Sequence, residues 1–289
     1  MPKKPLPRVF ADPKMDLPFK KLFGTREHQG LLVDLLNALL RLPEAERIVS
    51  LEYLSPEQLP NHDGLKLSIL DVKCTDARGT RYVVEMQVLP VDGFEKRVVL
   101  NACKSYVEQL ESGATYDQLS DVIAVTICNF TLWDDKVKML SRWRMQEQET
   151  GVPGLPHIQY VFLELPKYEA GSQPKTLVDK WAYFFREAWQ QHEIPAALAQ
   201  KPWREALEVV ERINFSPEEW THYQRSKMAE QDRRGSVTYA QRVGHELGMK
   251  KGMEKGMEKG MEKGIKAGME KGMEKGMEKG MEKGIKAGM

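Results

Sequence analysis

Residues 65–88 read LKLSILDVKCTDARGTRYVVEMQV, a pattern typical of two β-strands joined by a tight turn, with acidic residues at positions where strands are usually apolar. Side chains of a strand alternate between its two faces. One face of the first predicted strand carries Leu67, Ile69, Asp71 and Lys73, and the other carries Leu70, Val72 and Cys74. One face of the second carries Val83, Glu85 and Gln87, and the other carries Tyr82, Val84, Met86 and Val88.

The turn determines which residues of the two strands pair. A three-residue loop at 77–79, with its glycine in the left-handed conformation, makes Asp76 face Thr80. The same register then places Asp71 opposite Glu85. Two carboxylates are therefore predicted to meet on adjacent strands.

Opposed like charges destabilise a strand pair unless something binds them, and burial increases that cost. A divalent cation is one answer, since hard oxygen ligands suit Mg²⁺ or Mn²⁺, which keep several waters and share their site with a substrate phosphate. The alternative is that both carboxylates lie on the solvated face of a half-exposed hairpin. The pattern of charges alone favours neither.

This hairpin resembles the core of the PD-(D/E)XK nucleases, in the variant form of the recombination-promoting nuclease (Rpn) and transposase family. The residues that carry the resemblance are Asp71 and the Glu85-Met86-Gln87 triplet. Further short motifs follow the same family in order: DLPFKKLFG at 16–24, LLNA at 35–38, then Arg97, Tyr106, Gln109, Gly113 and Tyr116, and FLELPK at 162–167. The resemblance spans residues 12–168.

The resemblance implies an α/β fold, with a PD-(D/E)XK-like mixed β-sheet core of order αβββαβ flanked by helices. It also implies a Mg²⁺-dependent DNA endonuclease, with Mn²⁺ as an alternative cofactor. The implied catalytic residues are Asp71, Glu85 and Gln87, and the implied metal ligands are Asp16, Asp71 and Glu85.

Two positions depart from the family pattern. Gln87 stands where the superfamily has lysine, as is usual in this family, and Asn101 stands where a tyrosine is expected. Both bear on the efficiency of catalysis more than on the fold. A competing hypothesis is therefore a nucleic-acid-binding or regulatory module on a catalytically degenerate nuclease fold.

The charge is unevenly distributed. The chain carries a net charge of +1, but residues 249–289 hold eleven lysines and seven glutamates and so carry +4, which leaves about −3 for the rest. A nuclease core of that charge needs clustered cations or metal ions to approach phosphate. Candidate phosphate or DNA contacts are Lys20, Lys73, Arg97, Arg142 and Arg144. The last two belong to a basic segment with interleaved tryptophans at 133–144, for which a solvated helix face is the alternative.

Periodicity and breaking residues predict the other elements. Helices are predicted to start at Asp16, to cover 31–40, and to run from Phe94 to Ser112 with Gly113 as the stop. Strands are predicted at 47–54, 121–129 and 157–165, with a helical excursion between the last two. On the helix that starts at Phe94, Arg97 and Asn101 share one face and Tyr106 lies about 180° away from Arg97.

We predict three regions: a nuclease-like core at 1–168, an aromatic helical subdomain at 169–243, and a repeat tail at 244–289. Glycine recurs at every fourth position of the tail, so the methionine stripe drifts around a helix, and a marginal helix or disorder is expected. No run of about eighteen apolar residues occurs, and the first residues lack an apolar leader pattern, so a cytoplasmic protein without a membrane partner is expected. DNA is the predicted partner, and homo-oligomers are compatible with the sequence.

Overall fold

The computed structural model describes residues 7–58, 68–110 and 115–287. The helices are α1 (Asp16–Phe23), α2 (Gln29–Leu40), α3 (Phe94–Val107), α4 (Leu177–Arg186), α5 (Trp203–Val209) and α6 (Pro217–Ala287). The strands are β1 (Leu51–Tyr53), β2 (Glu57–Gln58), β3 (Ser68–Ile69), β4 (Val72–Asp76), β5 (Arg81–Gln87), β6 (Val122–Cys128), β7 (Leu140–Trp143) and β8 (Ile158–Glu164). Residues 65–67 of the predicted hairpin, the predicted helix stop Gly113 and the last two residues of the tail lie outside the described residues.

A six-stranded mixed sheet of order β1-β4-β5-β6-β8-β7 forms the core, which confirms the predicted α/β class. Strands β5, β6 and β8 are parallel, whereas β1, β4 and β7 pair antiparallel with their neighbours. Every residue of β6 is buried, as expected for the apolar run at 121–129. The prediction that β8 lies beside β6 is also confirmed.

The sheet is covered on both faces. One face packs in the larger apolar cluster with α1, α2, α4 and α5, where Phe23, Trp181 and Phe185 contact one another. The other face packs against α3, with Val83 of β5 and Val98 of α3 in the smaller cluster. The sheet thus separates two apolar layers, and α3 alone among the described helices contributes to the second.

The predicted helical excursion between β6 and β8 is wrong, because β7 occupies this part of the chain and pairs antiparallel with β8. Of the basic residues in this segment, Arg142 lies within β7 and Arg144 directly follows it, whereas Lys136 and Lys138 precede the strand. Because β7 pairs with β8, the backbone N–H and C=O groups on that side of β8 are hydrogen-bonded, whereas a helix in this segment would leave them unpaired at the edge of the sheet. The solvated-helix alternative for this segment is therefore wrong as well.

The first strand of the predicted hairpin is interrupted. Leu70 and Asp71 separate β3 from β4, and Leu70 packs in the smaller cluster while Val72 and Cys74 pack in the larger one. The prediction that these three share a face is wrong for Leu70, since the backbone bends at Asp71. The predicted strand at 47–54 is likewise shorter, spanning only Leu51–Tyr53.

The chain divides into two compact units, residues 1–227 and 228–289. Within the second unit the methionines of the repeat are largely exposed, reaching 74% at Met281. The marginal stability expected for this helix in solution stays a prediction. No described helix has both the length and the apolar character needed to cross a membrane.

Candidate active site

The turn between β4 and β5 has the predicted three-residue form. Gly79 has a φ of +86°, and the Asp76 N–H donates to Thr80 O at 3.1 Å. Asp76 Oδ1 also accepts hydrogen bonds of 3.0 Å from the backbone N–H groups of Arg78 and Thr80. The Asp76 carboxylate therefore holds the loop in one geometry, and that geometry sets the register of the two strands.

This register brings the two acidic residues together, as predicted. Val72 is the first residue of β4 and pairs with Val84, so Asp71, directly before β4, lies beside the part of β5 that holds Glu85. The Met86 N–H donates to Asp71 Oδ2 at 2.7 Å across the strands. Asp71 is therefore bonded directly to the strand that carries Glu85.

Both carboxyl groups are partly buried, and their pKa values are shifted upward. Burial is the largest cause for Asp71, and the nearby charge of Asp16 adds to it, while the Met86 hydrogen bond acts in the opposite direction on the pKa. Burial also raises the pKa of Glu85, and the charge of Asp71 raises it further. The pair carries an electrostatic cost that a bound cation would relieve.

Helix α3 supplies a polar side chain to Glu85. Asn101 Nδ2 donates to Glu85 Oε1 at 2.7 Å, and Asn101 is only 3% exposed. The predicted face shared by Arg97 and Asn101 is thus turned to the two acidic residues. Tyr106 is half-buried against the smaller apolar cluster, in agreement with its predicted direction.

Gln87, two residues beyond Glu85 on the same face of β5, bonds at both ends of its amide. Its Oε1 accepts from Arg97 Nη2 at 2.5 Å, and its Nε2 donates to Leu89 O at 2.6 Å. The Arg97 charge favours the ionised form of both Asp71 and Glu85, which lowers their pKa values. Arg97 is therefore part of the same site.

Asp16 and Lys20 lie at the border of the site, on α1. Their charges act on the pKa of Asp71, but the Asp16 carboxylate is 61% exposed and pairs with Lys20 at 2.8 Å. Asp16 is the first residue of α1, as predicted, and Met15 occupies the N-cap position. The structure brings Asp71 and Glu85 together and leaves Asp16 beside them, paired with a lysine.

Asp71 and Glu85 are the candidate donors for the divalent cation that the family resemblance implies. Among residues 7–58, 68–110 and 115–287, no three His, Cys, Asp or Glu side chains form a group that holds one metal ion. However, Mg²⁺ is commonly bound by one or two carboxylates plus waters and phosphate oxygens. Asp71 and Glu85 each use one carboxylate oxygen in a protein hydrogen bond, and no described group donates to the other oxygen. Two partly desolvated carboxylates with an unused oxygen each fit such an ion.

The remaining predicted cations lie elsewhere. Lys73 is 5% exposed and is ion-paired with Glu108 on the α3 side of the sheet. Arg142 donates from Nε to Leu39 O at 2.8 Å, so its guanidinium ties β7 to α2. Arg144 is exposed just beyond β7, next to Trp143, whose ring lies 4.9 Å from that of Trp133. The structure does not bring these three cations to the carboxylate pair.

The role of Asn101 was not predicted from the sequence. The residue was predicted to share a helix face with Arg97 and was noted as a departure from an expected tyrosine, but no contact was assigned to it, and it is the residue of α3 that bonds Glu85. Its position four residues after Arg97 was the available signal, because that spacing puts both side chains on one face of a helix.

A family model described as "PD-(D/E)XK nuclease family transposase" matches residues 13–240. The match includes α1 to α5, all the strands and part of α6, and it extends beyond the residues that carried the resemblance in the sequence. No curated protein and no solved structure matches the chain.

Proposed function

Because the chain belongs to the PD-(D/E)XK nuclease family of transposases, we propose that it is a divalent-metal-dependent endonuclease that hydrolyses phosphodiester bonds in DNA. The observation that carries this proposal is the proximity of Asp71, directly before β4, to Glu85 of β5, because both are partly buried carboxylates with raised pKa values and Asp71 accepts from the Met86 N–H. A solvated hairpin face does not account for their burial.

The reaction consumes one water for each bond cleaved. The water oxygen forms a bond to phosphorus, the bond from phosphorus to the leaving oxygen breaks, and that oxygen takes up a proton. The products are a phosphomonoester end and a hydroxyl end. Negative charge builds on the phosphate oxygens along the way, so cations and hydrogen-bond donors at the site lower the barrier.

Asp71 and Glu85 would hold the Mg²⁺ or Mn²⁺ ion, which when bound lowers the pKa of an attacking water and neutralises charge on the phosphate. The chain keeps these two ligands oriented through the Met86 N–H and the Asn101 amide. Asp16 is a weaker candidate for a third ligand because its exposed carboxylate is paired with Lys20.

The alternative is a nucleic-acid-binding or regulatory module whose nuclease site is degenerate. The observation that favours it is Gln87, a neutral residue at the position where the PD-(D/E)XK superfamily has lysine. A glutamine is neither a cation nor a base, so turnover depends on other groups in the site.

A plasmid-nicking assay separates the two functions. We expect the wild-type protein to nick supercoiled DNA with Mg²⁺ or Mn²⁺ and not with a chelator, and Asp71→Ala and Glu85→Ala to abolish nicking. The matched control is Asp117→Ala, since Asp117 is an exposed carboxylate that precedes β6, at the end of the sheet away from Glu85. Wild-type inactivity under all metals would favour the binding module. Nicking by both site variants would refute the assignment of the site.

Three further features belong to this proposal. The proposed substrate and partner is DNA. The proposed role is in recombination or in mobile-element or phage-defence processes, which the sequence resemblance supports. A cytoplasmic location completes the proposal. Homo-oligomers are compatible with this proposal, and light scattering would measure their formation.

A further inference from the structure

Gln87 is held in one orientation by its two hydrogen bonds. Its amide nitrogen donates to Leu89 O at 2.6 Å, which directs the side-chain carbonyl oxygen to Arg97 Nη2 at 2.5 Å. The acceptor of Gln87 is thus directed at a guanidinium.

Arg97 uses one of its guanidinium donors in a hydrogen bond to the part of the chain that the structure describes. It is exposed in the first turn of α3, and its guanidinium carbon lies 5.4 Å from the centre of the Phe94 ring, over its face. Among the described residues, its side-chain hydrogen-bond partner is Gln87, and no ion pair joins it to a carboxylate. A guanidinium has five N–H donors, and one bond to Gln87 leaves the others for a ligand.

The charge of Arg97 acts on both acidic residues. Its hydrogen bond to Gln87, two residues beyond Glu85 on the same face of β5, places the guanidinium near the carboxylate pair. The charge accordingly favours the ionised forms of Asp71 and of Glu85. A phosphate that bridges a cation on the two carboxylates would come within reach of this guanidinium. Arginine suits that contact because its planar donors match two phosphate oxygens at once.

We infer that Arg97 is a catalytic residue that donates to the phosphate under attack, and that Gln87 is a positioning residue that orients the Arg97 guanidinium. This inference rests on the proposed nuclease function. It assigns to Arg97 the positive charge that the lysine of the superfamily would supply at position 87 and that Gln87 lacks. Arg97 transfers no proton and forms no covalent bond, and it acts by stabilising charge on the phosphate oxygens.

The test combines single and double variants with two readouts, plasmid nicking and duplex affinity in chelator by fluorescence anisotropy. Arg97→Ala should slow nicking by about 100-fold or more, the usual effect of removing one donor to a developing oxyanion. Arg97→Lys should retain more activity than Arg97→Ala, since lysine keeps the positive charge but lacks the planar set of N–H donors that binds two phosphate oxygens. Lys96→Ala, which removes the adjacent exposed cation of α3, is the matched control and should nick normally.

A double-variant cycle separates positioning from direct catalysis. Gln87→Ala should slow nicking in the wild-type background and cause no further loss in the Arg97→Ala background, because Gln87 acts only through Arg97. Gln87→Lys combined with Arg97→Ala should recover part of the loss, since it returns a cation to the site from the strand. Melting curves of each variant confirm folding.

The inference is overturned if Arg97→Ala nicks at the wild-type rate, or if Gln87→Ala lowers activity further in the Arg97→Ala background. If wild type does not nick at all, the nuclease proposal fails separately. In that case the affinity measurement tests whether Arg97 contacts phosphate. Arg97→Ala should weaken DNA binding and reduce the slope of log affinity against log salt concentration by about one. Equal affinity and equal slope would overturn the inference.

Discussion

Asn101 Nδ2 donates a hydrogen bond of 2.7 Å to Glu85 Oε1 and so joins helix α3 to the second acidic residue of the site. This bond lowers the pKa of Glu85 against the opposing effects of burial and of the Asp71 charge. Because Asn101 is 3% exposed, the contact takes place inside the fold rather than on its surface. The orientation of Glu85 therefore depends on α3 as well as on β5.

We expect Asn101→Ala to reduce nicking about tenfold and to cost about 1–3 kcal/mol of folding stability, since Glu85 loses its donor in a partly buried place. Metal affinity, measured by calorimetry, should fall with the activity. Asn101→Asp should be more damaging than Asn101→Ala, because it adds a third negative charge beside the pair. Wild-type metal affinity in both variants would contradict this role.

Asp71→Asn should raise the stability of the metal-free protein, because it relieves the repulsion between Asp71 and Glu85 while its amide oxygen still accepts from Met86. A gain of about 1 kcal/mol corresponds to about 2–4 °C in melting temperature. The same variant should lose the rise in melting temperature that Mg²⁺ gives the wild type. Equal metal stabilisation in both proteins would mean that the pair is only a hairpin face. Asp117→Asn is the control and should change neither quantity.

The stability difference between wild type and Asp71→Asn should depend on pH. Folding raises the carboxyl pKa values of Asp71 and Glu85 from 3.8 and 4.5, so the folded wild type binds more protons than the unfolded chain just above those values. The free energy of unfolding of the wild type therefore falls as pH rises through this window. The advantage of Asp71→Asn should be present at neutral pH and disappear in acid, in urea titrations without metal. A pH-independent difference would contradict the electrostatic explanation.

Lys73→Met should destabilise the protein without changing DNA affinity. The Lys73 ammonium is buried and ion-paired with Glu108, and removing one partner leaves the other charge uncompensated. We expect a loss of about 1–3 kcal/mol in urea unfolding. Unchanged stability together with weaker duplex binding would instead return Lys73 to the list of DNA contacts.

Truncation after Gln241 should leave metal-dependent nicking within about tenfold of the full chain, a loss in transition-state stabilisation below ~1.4 kcal/mol. The tail is diluted in charge by seven glutamates, so it offers only a few phosphate contacts. DNA affinity should fall modestly at low salt and not at physiological salt. Loss of nicking, or conversion of a dimer to a monomer in light scattering, would show that the repeat has a structural role.

Much of the site follows from local sequence. The loop at 77–79, with Asp76 bonding its amides and Gly79 in the left-handed conformation, sets the register without help from distant residues. Because side chains alternate along a strand, that register alone predicts that Asp71 meets Glu85. The uniformly apolar run of β6 likewise predicts a buried central strand.

Contacts between distant segments decided the rest. Helix α3 reaches the end of β5 only through packing on the sheet, and this packing turns Asn101 to Glu85 and Arg97 to Gln87. Lys73 has the alternation of a strand residue whether it faces water or Glu108, so its burial was not visible in the sequence. The strand conformation of β7 was likewise not visible in the sequence, because it depends on pairing with β8, a separate segment of the chain. Turn geometry and alternation depend on neighbours in the chain, whereas the partner of a long polar side chain depends on which helix or strand the folded core brings within hydrogen-bond distance.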